Sequence, residues 1–233
     1  MPCSKMHGGW GEEAQNIIVT RLPTKRPLLQ VVPTTPEAPD ALSDEELLEG
    51  LARGDAGIGS ELCRKLMRVV DGTLYRVLGG RDVDHEDLVQ ASFEQIVRSL
   101  SKGKFARECS LSTWAAAITC NVALHAIRRR RTERKIFDDA FGFEDLTHKP
   151  ASGSDPESQV NSRRELERVR RHLGQMSEKL AQALLLSDVL GCTQAEVASL
   201  LDVSVPAAQA RLFRGRQELA LRLTRETAGG KAR

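Results

Sequence analysis

The chain has 233 residues, with 34 Lys and Arg against 32 Asp and Glu for a net charge of +2, 40% hydrophobic residues and 4% aromatic ones. That length suits one large domain or two small ones, and cores so poor in aromatics must be built from Leu, Val, Ala and Ile, which favours helices. No run of 18 apolar residues exists, which excludes a membrane-spanning helix, and no secretion signal is legible at the start, so a cytoplasmic protein is expected.

Residues 1–42 read as a disordered Pro-rich tail, because Pro23, Pro27, Pro33, Pro36 and Pro39 recur too closely for helix or sheet. Order begins at Ser43, which with Glu46 forms a capping box for a helix burying Leu47, Leu48 and Leu51. A second helical segment, from about Gly59 to Leu78, carries Leu62, Leu66, Val69, Val70 and Val77 and is broken by Gly79-Gly80. The third, Asp84 to Leu100, has an apolar stripe of Val89, Phe93, Ile96, Val97 and Leu100 at helical spacing. Its other face presents Asp84, Asp87, Gln90 and Glu94. Acids in a first turn complement the helix dipole, which accounts for Asp84, Glu86 and Asp87 but not for a polar face continuing through Gln90 and Glu94.

After a loop at Lys102-Gly103-Lys104-Phe105, a fourth helix is expected from a cap at Ser110 or Ser112 to about Arg131. Leu111, Trp114, Ala115, Ile118 and Val122 make its buried stripe. Thr113, Ala117, Asn121, His125 and Arg128 fall on a more polar face that runs into Arg128-Arg129-Arg130-Arg131. Residues 125–135 hold six basic side chains against one Glu, whereas 138–157 hold six acids against one Lys. The near-neutral total therefore hides strong segregation, and a basic block fits phosphate. A solvated helix end would need one or two arginines for the dipole, not four in succession.

Residues 138–161 are rich in Gly, Ser, Pro and acids and read as a linker. A second helical domain follows over 162–225, with Leu166, Val169 and Leu173, then a helix from Ser177 carrying Leu180, Leu184, Leu185 and Leu190, with residues 226–233 as a disordered tail. The domain closes on two short helical patterns around a tight turn. Thr193 caps the first, which buries Val197, Ala198 and Leu201; Ser204 caps the second, with Pro206 in its first turn. Together with Arg211, Arg214 and Arg216, this is the pattern of a helix-turn-helix whose second helix enters the DNA major groove. The expected fold class is all-α: two small helical domains joined by an acidic flexible linker, the second ending in a helix-turn-helix.

These stretches resemble the bacterial sigma factors of RNA polymerase, in the extracytoplasmic-function (ECF) type that keeps regions 2 and 4. Ala52-Arg53-Gly54-Asp55 resembles the start of region 2. Asp87-Leu88-Val89-Gln90 with Phe93 resembles the polymerase-docking helix. Ser112-Thr113-Trp114, Ile118 and Asn121 through Arg128–Arg131 are similar to the promoter-melting and −10 helix, and Glu196-Val197-Ala198 through Arg214 to the −35 reader. The resemblance implies promoter-specific initiation with core RNA polymerase (β′ clamp and β subunits), promoter DNA and an anti-sigma factor as partners, and no cofactor. It assigns core docking to Asp87, Gln90 and Glu94, and −10 DNA to Trp114, Asn121, His125, Arg128, Arg129, Arg130 and Arg131. It assigns the −35 element to Ser204, Gln209, Arg211, Arg214 and Arg216. Phe213 fits either DNA contact or packing, and the acidic linker would thread a basic polymerase channel.

The chain departs from the family at Ala91, where an acid is common, at Cys120 in place of Arg, at His125 in place of Asp, and at Pro206-Ala207-Ala208-Gln209-Ala210 in place of Gly-Thr-Val-Lys-Ser. The last of these implies an altered or weaker −35 preference. Competing classes are a helix-turn-helix regulator that never meets polymerase, a polymerase-binding decoy, and a nucleic-acid enzyme. The regulator would need a dimer seam, and none is visible. The enzyme would need a catalytic constellation, yet only Cys109 and His125 lie near one face. Five scattered cysteines without a CxxC pair match no zinc pattern, so neither metal nor catalytic residues are expected.

Overall fold

The computed structural model describes residues 42–141 and 156–230, with side chains over 42–134 and 164–226. Its helices are α1 (Asp44–Arg53), α2 (Ile58–Leu78), α3 (His85–Ser101), α4 (Leu111–Phe141), α5 (Pro156–Gln175), α6 (Glu178–Leu184), α7 (Gln194–Leu200) and α8 (Val205–Gly230). A π-helical turn, Leu185–Val189, extends α6, and no strand occurs among the described residues.

Local chemistry sets the boundaries. Ser43 and Glu46 form the expected capping box, with the Ser43 N–H donating to Glu46 Oε2 at 2.8 Å. Thr193 and Glu196 repeat it at α7. At α4 the cap is Ser110, whose Oγ accepts from the Thr113 N–H at 3.0 Å. α4 runs well past Arg131, since the basic run and the Glu133 beside it are good helix formers. α5 begins at Pro156, which loses nothing by lacking an N–H in the first turn. The linker expected over 138–161 is thus helical at both margins and its middle, 142–155, lies outside the described residues; so do the N-terminal tail through residue 41 and residues 231–233. The C-terminal tail expected from 226 is helical to Gly230.

Packing joins what the sequence separated. Leu62, Leu66, Val70 and Leu74 of α2 meet Leu88 and Ile96 of α3 and Leu111, Ala115 and Leu124 of α4. The same buried cluster continues through Leu173, Leu184, Leu185, Val197, Ala198, Ala208 and Leu212 of the second half. The described residues 42–141 and 156–230 therefore fall within one compact unit, in which the two helical groups pack against each other. α8 approaches α6 closely at Gly215, where a Cβ would lie 3.1 Å from Leu184 Cγ.

Asp44, at the start of α1, ties that helix to the start of α4 and to the middle of α2. Its carboxylate accepts the Leu111 N–H at 2.8 Å and pairs with Lys65 Nζ at 2.9 Å, while Lys65 also donates to the Leu42 carbonyl. Asp44→Ala strips α4 of a side-chain cap and removes one of the ion-pair contacts of the half-buried Lys65. The expected cost is about 1–2 kcal/mol, read as a lower urea midpoint at unchanged m-value.

Candidate polymerase and nucleic-acid interfaces

α3 offers one surface. Asp87, Gln90 and Glu94 are exposed along it, and Gln90 Nε2 donates to Glu94 Oε1 at 3.2 Å. Beside them a shallow groove of about 470 Å³ is lined by Gln90, Phe93, Glu94, Val97 and Arg98. Val97 is exposed and Phe93 half-buried, so the stripe expected to be wholly inward leaves an apolar edge in solvent next to polar side chains. This is the composition of a docking face with an apolar centre and a polar rim. Asp84, expected inside the helix, instead stands just before it.

α4 carries the second surface. Asn121, His125 and Arg128 share one face at helical spacing, and the Asn121 amide makes no hydrogen bond among the described residues. An amide left so keeps both donor and acceptor for a base. Trp114 is a correction to the site as expected: its ring is 8% exposed and lies 5.2 Å from Phe105, centroid to centroid, inside the core. The four arginines do not act as one block either, because successive helical residues fan around the axis by about 100°. Arg128 turns to Glu178 at 3.1 Å and to the Met176 carbonyl at 3.0 Å. Arg129 pairs with Asp84 at 3.1 Å, and Arg130 with Asp82 at 2.6 Å and with Asp84. Arg131 is exposed and makes no ion pair among the described residues.

The helix-turn-helix is the third surface. The turn at Leu201–Val203 is closed by the Val203 N–H donating to the Ala198 carbonyl at 2.9 Å, with Asp202 in the left-handed region at φ 50°. Ser204 Oγ accepts from the Ala207 N–H at 3.4 Å, and Gln209 Nε2 donates across to Gln194 Oε1 at 2.6 Å, tying the two helices. Arg214 is exposed and Arg211 half-buried. Phe213, for which packing and DNA contact were both open, is 67% exposed on the outer side of α8. Arg216 points elsewhere: it holds Asp188 at 2.7 Å and Ser187 at 3.3 Å on the π-helical turn. Of the alanines, Ala208 is fully buried against α7, so its replacement of a Val removes no DNA contact; Ala207 and Ala210 are half-buried.

Sequence reasoning did not single out Asp82, Glu178 or Arg170, because the groups they meet across the fold, Arg130, Arg128 and the Val77 carbonyl, lie tens of residues away. Three thiols, Cys109, Cys120 and Cys192, offer little chemistry. Burial pushes Cys120 up to about 12 and Cys192 up to about 11, with Cys192 and Glu196 respectively adding to the effect, and burial raises Cys109 too. Thiols so held are neutral and poor nucleophiles. Among the described residues no group of three or more His, Cys, Asp and Glu is arranged for a metal, and no helix is long and apolar enough to cross a membrane.

The chain is similar to known proteins over most of the described residues. Residues 62–133 match the family Sigma-70 region 2, and residues 166–219 match Sigma-70, region 4. The ECF RNA polymerase sigma-E factor of Haemophilus influenzae is 29% identical over 183 residues, 76% of this chain and 94% of that protein. RNA polymerase sigma factor CarQ of Myxococcus xanthus is 31% identical over 134 residues, 58% of this chain and 71% of CarQ. The solved structure of CnrH in complex with the cytosolic domain of CnrY, CnrH being that of Cupriavidus metallidurans, covers 78% of this chain and 97% of that one at 22% identity and a TM-score of 0.46. The chain belongs to the sigma-70 family, as an ECF-type sigma factor. It directs promoter-specific transcription initiation with RNA polymerase.

Proposed function

We propose a division of labour among the three surfaces. α3 docks on the β′ clamp of core polymerase through Asp87, Gln90 and Glu94, with the Phe93–Val97 edge supplying apolar contact. α4 engages the −10 element, Asn121 hydrogen-bonding an unstacked base while His125, Arg128 and Arg131 take phosphates. α8 enters the −35 major groove with Gln209, Arg211 and Arg214, flanked by Phe213 and with Ser204 nearer phosphate. Region 2 of the domain assignment is 43–137 and region 4 is 162–225. The acidic segment between them threads a basic channel of the polymerase. The protein is a cytoplasmic initiation factor and not an enzyme, held in check by an anti-sigma factor.

The observation that carries this reading is the side-by-side exposure of Asp87, Gln90 and Glu94 next to an open apolar groove, on a helix distinct from both DNA-facing ones. Run-off transcription tests it, with purified protein and bacterial core polymerase on a library of duplex and pre-melted promoters. Protein-dependent transcripts starting downstream of a shared pair of motifs are expected. A stable complex with core but no transcripts would make the protein a decoy, and no complex at all would overturn the α3 assignment.

A further inference from the structure

One side-chain pair spans the helix-turn-helix on its outer face. Gln194, the first residue of α7, and Gln209, in the second turn of α8, are both exposed, and Gln209 Nε2 donates to Gln194 Oε1 at 2.6 Å. Both backbones are anchored. The Thr193–Glu196 capping box fixes the start of α7, and the fully buried Ala208 holds the adjoining stretch of α8 in the core. The bond adds little stability, since two solvated amides exchange one partner for another. Its consequence is orientational. A primary amide has two N–H donors and one carbonyl oxygen, and a free one turns between two orientations. With one N–H given to Gln194, Gln209 is left with one N–H and its oxygen, and the order in which they face outward is set. Val205 and Phe213, one turn to either side of Gln209 on the same face, are 40% and 67% exposed. The outward row of α8 is therefore apolar, amide, apolar, with no charge in it.

We propose that Gln209, oriented by Gln194, reads an adenine in the −35 major groove, with Val205 and Phe213 against thymine methyl groups beside it. The inference rests on the reading of α8 as the −35 helix and names the base that one of its side chains takes. A charged row would hold phosphates whatever the sequence, whereas an uncharged one is suited to base edges. In the major groove adenine alone sets an N7 acceptor beside an N6 donor, which an amide meets with its N–H and its oxygen at once. Guanine sets O6 against the amide oxygen, acceptor facing acceptor. Cytosine lacks the acceptor and thymine lacks the donor. An amide free to turn could offer its N–H groups to guanine instead. Held by Gln194 it does not, so Gln194 is a positioning residue that sharpens the choice of base without touching one.

The test uses holoenzyme assembled from the full chain and core polymerase, on promoter DNA randomised over the −35 element that run-off transcription defines, with bound and unbound pools sequenced. At one position adenine is expected to exceed each other base by about tenfold, the discrimination of one bidentate contact. Gln209→Ala should level that position and leave the rest of the element. Gln194→Leu, which removes the acceptor, should lower the adenine preference severalfold at an unchanged thermal midpoint. Gln194→Glu, whose carboxylate also accepts the Gln209 N–H, should retain it. Replacing that adenine by its analogue lacking N7 should weaken binding of the wild type and not of Gln209→Ala, which separates an edge contact from a preference for DNA shape. Unchanged base preference in Gln209→Ala, or an equal loss on the analogue in both proteins, would overturn the adenine assignment. Gln194→Leu with wild-type preference would overturn the positioning role. Arg214→Ala tells the two levels apart. If it weakens promoter binding while Gln209→Ala alters nothing, the adenine assignment alone falls; if neither has an effect, the reading of α8 as the −35 helix falls with it.

Discussion

Replacing Asp87 and Gln90 together by alanine is expected to weaken binding to core RNA polymerase by about tenfold, the loss of two polar rim contacts worth about 0.7 kcal/mol each. Both side chains are exposed, and neither is bonded into the rest of the fold. Gln90 gives up only its hydrogen bond to Glu94, and Asp87 its interaction with the α3 dipole, a few tenths of a kcal/mol. The thermal midpoint should therefore hardly move while the affinity falls. Titration of labelled protein with core, set beside a melting curve, reads both. A parallel fall in midpoint and affinity would mean that the pair supports the helix and not the contact. The neighbouring acids give the contrast. Asp84 faces inward to Arg129 and Arg130, so Asp84→Ala should lower the midpoint and leave polymerase affinity near wild type.

What the sequence disclosed and what it withheld divide along contact distance. Capping boxes at Ser43–Glu46 and Thr193–Glu196, the stop at Gly79 and the α2 and α3 stripes all depend on residues within a turn or two of one another, so pattern alone exposes them. The helix-turn-helix was legible for the same reason: its turn, caps and inner alanine are local. The fate of the arginines was not. A run of four reads as one basic block only if the chain is treated as a line; wound into α4, it sends Arg128 to α6, Arg129 and Arg130 to the Asp82–Asp84 turn, and Arg131 to solvent. Their acids are 45 to 50 residues away in sequence. Trp114 belongs to both levels: its spacing placed it on the buried stripe, and only the family likeness drew it toward DNA. Cys120 is similar. Where relatives carry Arg, this chain has a thiol that is 1% exposed, so the substitution lies in the core and not on the DNA surface.

Within α8 the same distinction separates two arginines that the sequence treats alike. Arg214 is exposed, its one hydrogen bond among the described residues being from Nε to the Ala210 carbonyl at 3.3 Å one turn back, and it stands next to the outward ring of Phe213. Among the described residues no acid pairs with its guanidinium, which leaves the fork open to a base edge or a phosphate. With holoenzyme assembled on promoter DNA, Arg214→Ala is expected to reduce preference for the best −35 element over a scrambled one by about 1–3 kcal/mol, roughly 5- to 150-fold, if it reads a base. A uniform loss on both DNAs, with the log–log salt slope smaller by about one, would instead assign it to a phosphate. Arg216 is committed. Its two contacts to Asp188 and one to Ser187 fasten α8 to the end of α6, and both partners of the ion pair are about half exposed. Arg216→Ala should therefore cost under about 1 kcal/mol of stability and leave −35 discrimination intact. The two variants lie two positions apart on the same helix, and their opposite readouts would show that which way a guanidinium faces, and not its place in a motif, decides what it does.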